Sequence, residues 1–219
     1  MLRTALWTCA CVAALLVADG VGVPYVGGVA KMAASTGFLL LAVQAGALHS
    51  RYGIALLAGL FFSWWGDLFL IWSGTFLFGL VAFLLGHLCY SAAFLLHGVR
   101  WGAVLLALLL LLLWVLPVIF WLSPHLSGEK AALAGPVYVY MAVITAMVAL
   151  SVGARYRGGV WAMVIGAVLF YVSDLCVARQ AFVEPSYLNR LMGLPLYFGG
   201  QLVLAASPYW LAARQRQGV

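Results

Sequence analysis

The sequence predicts an all-α, polytopic integral membrane protein with about eight transmembrane helices in a single domain, and three observations carry that prediction. Hydrophobic residues fill 67% of the 219 positions and charged residues 7%, and the mean hydropathy is +1.13; no water-soluble domain hides that much apolar surface. Apolar stretches of spanning length, each needing ~20 residues, recur along the whole chain. The connections between them are short, so residues 1–219 read as one transmembrane unit with no room for an extramembrane domain.

Taken in order, the first segment, about 4–19, follows Arg3 and stays apolar to Ala18. A charge before an apolar run also opens a signal peptide, but no small-x-small cleavage site follows, so the segment reads as a short first span. Gly20 to Gly28 forms a connection, and Lys31 opens the second span, 31–48. His49-Ser50-Arg51 precedes the third, 52–72, and Ser73-Gly74 separates it from the fourth, 75–97. His97 to Arg100 leads to the fifth, 101–122, and Ser123 to Lys130 to the sixth, 131–152. Gly153 to Arg157 leads to the seventh, 158–179, and Gln180 to Tyr187 to the eighth, 188–211. Breakers and charges fill every connection, as expected of loops between spans. Trp72, Trp101, Trp121, Trp161 and Trp210 fall near span ends, the headgroup depth that tryptophan prefers.

Lysine and arginine are retained on the cytoplasmic side during insertion. With a cytoplasmic N-terminus that side holds Arg3, Arg51, Arg100, Arg155, Arg157, Arg214 and Arg216; the other holds Lys31, Lys130, Arg179 and Arg190 with Asp19, Glu129 and Glu184. The bias predicts both termini in the cytoplasm and a multi-pass protein of the plasma membrane, the inner membrane of a bacterium. The net charge of +6 comes from cations scattered singly, without the basic stripe that nucleic acid requires. Cys9, Cys11, Cys89 and Cys176 lie in apolar stretches without CxxC spacing, so they read as small buried hydrophobes rather than a metal site or disulfide framework.

The halves resemble each other. Gly66-Asp67-Leu68 and Gly86-His87-Leu88 in spans three and four have counterparts in Ser173-Asp174-Leu175 and Gly200-Gln201-Leu202 in spans seven and eight, at offsets of 107 and 114 residues. This pattern is compatible with a parallel four-plus-four repeat.

Asp67 and Asp174 are the residues that most demand explanation. An ionised carboxylate in hydrocarbon costs several kcal/mol (of order 3 on insertion scales), so a span keeps one where it faces a polar cavity, a partner or a proton pathway. Both lie ~7–8 Å outside the midplane at a 1.5 Å rise per residue, on the non-cytoplasmic side. Two carboxylates at one depth on two helices have the makings of a shared site, one donating a proton while the other stays ionised. His87 and Gln201 sit near the midplane, with Tyr90 on the face of His87; each also fits plain interhelical hydrogen bonding. Tyr138, Tyr140 and Tyr197 fall in the outer halves of spans six and eight, where interfacial anchoring is the usual role. Lys31 opens its span on the outer side, placed to neutralise a phosphate or a carboxylate, or to snorkel to the headgroups. Ser63 precedes Asp67 by one turn, but no serine has a nucleophile motif around it.

Gly66-Asp67-Leu68-Phe69-Leu70-Ile71-Trp72, Phe78-Gly79, His87-Leu88-Cys89-Tyr90, Gly166-Ala167-Val168-Leu169-Phe170 before Ser173-Asp174, and Tyr197…Gln201 together resemble the YhhN-type lysoplasmalogenase family, from about Lys31 to Ser207. The resemblance implies an integral membrane hydrolase that cleaves the vinyl-ether bond of lysoplasmalogens to a fatty aldehyde and glycerophosphocholine or glycerophosphoethanolamine. It implies no metal or organic cofactor, and a lysophospholipid substrate drawn from the bilayer. Asp67 and Asp174 would be catalytic, with Lys31, His87, Tyr90, Tyr138, Tyr197 and Gln201 around the substrate. The chemistry is compatible, since vinyl-ether hydrolysis needs an acid to protonate the β-carbon and a carboxylate to stabilise the oxocarbenium ion and accept a proton from water.

Two alternatives use the same acids. An intramembrane aspartyl protease pairs Tyr-Asp with Gly-x-Gly-Asp, whereas this chain has Trp64-Trp65-Gly66-Asp67 and Val172-Ser173-Asp174. A small-solute or lipid transporter with a proton-coupled Asp pair suits a four-plus-four repeat, yet the spans lack paired Gly/Pro interruptions at the midplane.

Overall fold

The computed structural model describes residues 1–155 and 159–215. The described residues form eight long helices: α1 (Leu2–Gly20), α2 (Pro24–Gln44), α3 (Arg51–Phe69), α4 (Phe76–His97), α5 (Trp101–Leu122), α6 (Ala131–Gly153), α7 (Val160–Ala178) and α8 (Tyr187–Gln215). Among the described residues no strand forms, only an isolated bridge between Val99 and Ala154. Helices α1 to α7 are long and apolar enough to cross a membrane. The eighth, richer in polar residues, lies antiparallel along α7.

Without a hydrophobic drive between helices in lipid, close packing and interhelical hydrogen bonds hold such a bundle, and small residues permit the approach. The two tightest pairs use the same device. In α3–α4 a Cβ on Gly86 would stand 3.1 Å from Gly59 O, and in α7–α8 a Cβ on Gly200 would stand 2.9 Å from Gly166 O. Gly59 and Gly166 are 107 residues apart and Gly86 and Gly200 are 114 apart, the offsets of the sequence repeat. Neighbours repeat as well: α2 packs on α3 and α8, and α6 on α7 and α4.

Charges collect at the two ends. Arg51, Arg100 and Arg155 share one end, where Arg100 N donates to Gly153 O and Arg155 N to Gly98 O, each at 2.8 Å. At the other, Arg190 pairs with Asp19 at 2.6 Å and Arg179 with Glu184 at 2.9 Å. Arg157, Arg216, the Arg214 side chain and residue 158, the expected start of the seventh span, lie outside the described residues.

Several expected boundaries move. Helix α2 starts at Pro24, whose missing N–H suits a first helical position, so Lys31 does not open the span but lies two turns inside it. The same helix stops at Gln44, because Gly46 adopts φ 85°; the expected 31–48 is thus shifted toward the N-terminus. Gln180 to Val183, expected as connection, join Arg179 in a π-helical turn, Arg179–Val183, that prolongs α7. Gln180 holds it to α8, accepting from Ser186 N at 2.8 Å and Asn189 Nδ2 at 3.1 Å. Helix α8 continues through Pro208 to Gln215, past the expected end at 211. The cysteines are free but not buried: Cys9 is exposed and Cys11, Cys89 and Cys176 half-buried. A bilayer makes the outside of the bundle as apolar as its core, so an apolar residue gains nothing by facing inward.

Candidate active site

Asp67 sits in the last turn of α3 and is 1% exposed. Every partner it has is a donor. Lys31 Nζ lies 3.2 Å from Oδ1. Ser35 and Tyr197 hydroxyls each lie 2.6 Å from Oδ2. Lys31 and Ser35 are one turn apart on α2, so the helix presents ammonium and hydroxyl on one face, and Tyr197 arrives from α8. Behind it the network continues into the core: Gln201 Nε2 donates to Tyr197 Oη at 3.2 Å, Tyr90 Oη donates to Gln201 Oε1 at 2.8 Å, and Ser63 Oγ stands 3.1 Å from Tyr90 Oη.

Asp174, on α7, has different company. Tyr140 Oη donates to its Oδ2 at 2.6 Å, and His87 Nε2 stands 2.8 Å from that hydroxyl and 3.8 Å from the carboxylate oxygen. With Tyr140 donating to Asp174, His87 must supply its Nε2–H; its Nδ1 is buried without a partner. No Lys or Arg pairs with Asp174 among the described residues, and its side chain is 19% exposed against 2% for Asp67. The sites mirror each other. Asp67 on α3 is met from α2 and α8, and Asp174 on α7 from α6 and α4.

Both aspartates line one cavity of ≈ 250 Å³. Lys31, Tyr140, Tyr197 and Arg190 share its wall, and most of the remaining surface is aliphatic or aromatic, including Leu80, Phe83, Ile144 and Leu194. His87, Tyr90 and Gln201 are fully buried one layer behind. Tyr138 is not brought to the cavity; its hydroxyl stands 2.9 Å from Ser123 Oγ at the outer end of α5. Its neighbour two residues on, Tyr140, has the aspartate. Laying α6 over α2 at an offset of 109 would have singled it out, since Met141 then matches Met32, Thr145 matches Thr36 and Tyr140 falls opposite Lys31. Ser35 was signalled only by its four-residue spacing from Lys31. Among the described residues no three His, Cys, Asp or Glu side chains converge as metal ligands would.

The family model described as the YhhN family matches residues 28–208, most of the chain and every cavity residue named above. The chain belongs to the YhhN family. Relatives of this YhhN chain include the Lysoplasmalogenase TMEM86A of Bos taurus, 37% identical over 157 residues that cover 68% of this chain and 62% of the relative. The Lysoplasmalogenase TMEM86B of Sus scrofa is 33% identical, with 77% of this chain and 68% of that one covered. The Lysoplasmalogenase of Mycobacterium bovis is 32% identical over 58% of this chain and 47% of its own length. The alignment thus spans less than two thirds of the cattle relative and about half of the mycobacterial one. No solved structure matches the chain.

Proposed function

We propose that this YhhN-family chain hydrolyses the vinyl-ether bond of lysoplasmalogens, releasing a fatty aldehyde and glycerophosphocholine or glycerophosphoethanolamine, through Asp67 and Asp174. The observation that carries the reading is the sharing of one cavity by two intramembrane carboxyls with opposite surroundings. Relatives named lysoplasmalogenase support the same substrate class.

The surroundings support a division of roles. Asp67 meets an ammonium and two hydroxyls, donors that each favour its negative form, and the reading gives it the carboxylate role. Asp174 has no such cation, so it is the carboxyl able to carry a proton on Oδ1 while Oδ2 accepts from Tyr140. That proton goes to the β-carbon of the vinyl ether, and the C=C electron pair forms the new C–H bond. The result is an oxocarbenium ion between two carboxylates, an arrangement set before the charge develops. Water adds to the cationic carbon and loses a proton to Asp174. The hemiacetal then collapses, its C–O bond to glycerol breaking as the aldehyde carbonyl forms and the glycerol oxygen takes a proton. Tyr140 and His87 hold the acid in place. Lys31 fixes Asp67, and Arg190 offers a second cation on the cavity wall for the substrate phosphate.

The reading places the protein in the plasma membrane with both termini cytoplasmic. Three of the four cations on the opposite face, Lys31, Arg179 and Arg190, are paired with acids, which leaves the Arg51, Arg100 and Arg155 end as the unbalanced positive one.

Purified protein incubated with an alkenyl lysolipid and with its ester counterpart tests the function. Aldehyde from the first and no fatty acid from the second is expected, because the mechanism starts by protonating a vinyl carbon, which an ester lacks. Fatty acid release from the ester would contradict the mechanism. Proton-coupled solute uptake by vesicles holding the protein, without any aldehyde, would favour the transporter alternative.

A further inference from the structure

The cavity has an outer lid and a side opening, and they bear on how a chain-bearing lipid is held. A satellite apolar cluster, separate from the main core, covers the cavity at its outer end; Leu122, Leu126, Val137 and Phe182 are its buried members. Phe182 is brought there by the π-helical turn, a rare geometry often found at functional sites. Its ring meets Phe76 edge-on at 5.4 Å, and Lys130 Nζ clasps the turn from outside, 3.0 Å from Ala181 O and 3.4 Å from Phe182 O. The aqueous side is therefore roofed by hydrocarbon.

The flank facing α5 is not closed in the same way. Among the described residues α5 packs mainly along α6, tied at its inner end by the Arg100–Gly153 and Gly98–Arg155 backbone bonds. Toward the outer end Pro117 removes one helical hydrogen bond, and between that stretch and the α7–α8 pair lies a second, more open hollow of ≈ 280 Å³. Val118, Leu175, Cys176 and Asn189 wall both spaces, while Trp121 and Met192 carry the hollow outward, with Arg179 as its one charged member. Trp121 and Met192 are 40% and 55% exposed on a membrane-facing flank.

Size decides what belongs there. Pockets that enclose a drug-sized ligand run to roughly 300–1,000 Å³, so a cavity of ≈ 250 Å³ takes the glycerol and enol-ether end of a lysolipid and leaves a long chain outside. We infer that the hollow between α5 and α7–α8 is a lateral slot for the single hydrocarbon chain, through which the lipid enters and leaves without crossing water. The inference rests on the lysolipid reading of the cavity. A chain in the slot exchanges lipid contacts for Val118, Leu175 and Met192, and the Phe182 lid keeps bulk water from the oxocarbenium ion.

Met192 lies in the slot but not in the cavity, which makes Met192→Trp the obstructing variant. It is expected to lower kcat/KM for a sixteen-carbon alkenyl lysolipid relative to a four-carbon analogue by about tenfold or more, the range over which apolar pockets discriminate. An unchanged ratio, or equal loss on both chains, would overturn the slot. A second measurement needs no turnover. In protein whose remaining cysteine is Cys176, with Cys9, Cys11 and Cys89 replaced by alanine, a saturated single-chain ether lysolipid is expected to slow N-ethylmaleimide labelling. Labelling at an unchanged rate under saturating lipid would overturn the slot as well. If the unmodified protein releases no aldehyde, the hydrolase reading fails and Cys176 protection alone decides the slot.

Discussion

At the scale of single residues, the distinction between the aspartates is one of partners, and it predicts different penalties. Lys31→Met leaves the Asp67 carboxylate buried without its ammonium, and breaking a buried pair from one side costs about 3–5 kcal/mol. The double variant Lys31→Met/Asp67→Asn removes both charges, so thermal unfolding in detergent is expected to recover most of that loss while aldehyde release stays absent. A double variant as unstable as the single one would mean that the pair is not what holds α2 to α3. Tyr140→Phe takes away the hydroxyl between His87 and Asp174; turnover is expected to slow by one to two orders of magnitude, with a stability cost of about 1 kcal/mol for the lost bond.

At the scale of elements, two adjacent glycines on α8 separate packing from propensity. A Cβ at Gly200 meets Gly166 O at 2.9 Å, whereas at Gly199 nothing lies within 4 Å. Gly200→Ala is therefore expected to destabilise the fold by about 1–3 kcal/mol through overpacking, and Gly199→Ala to be neutral or stabilising by up to ~1 kcal/mol. Unfolding of the two variants side by side checks this, and equal effects would show that the α7–α8 approach is not tight. The elements also show where sequence reading stops. Helices α5 and α6 are bounded by plain breakers and fall within a residue of expectation. Helix α2 does not, because Gly27 and Gly28 look like loop while Pro24 in fact begins the helix, and only the start at Pro24 puts Lys31 deep enough to reach Asp67. The π-helical turn carries no composition signal either; it is held by Gln180 and Asn189 contacts across nine residues and by the cluster around Phe182.

For the molecule as a whole, hydropathy suffices to establish a helical membrane bundle, since no other class accommodates a chain two-thirds apolar. The acids at matching offsets likewise pointed to a common site, but their inequality was not legible: it depends on which of Lys31, Ser35, Tyr140 and Tyr197 reaches which carboxylate across helices far apart in sequence. Tyr138 illustrates the point, having the right type and depth but facing Ser123. Two similar half-sites face one cavity, with an ammonium from α2 beside one carboxyl and a phenol from α6 beside the other, and the proposed mechanism makes the first a fixed anion and the second an acid. The proposed mechanism stands on Asp174 being that acid. Aldehyde release from an alkenyl lysolipid by purified Asp174→Asn protein tests it most directly, because no Lys or Arg is left unpaired by the change and the variant should melt with the parent protein. A loss of about a hundredfold or more with the fold retained is expected; a folded variant that releases aldehyde at the parent rate would remove Asp174 from the acid's role.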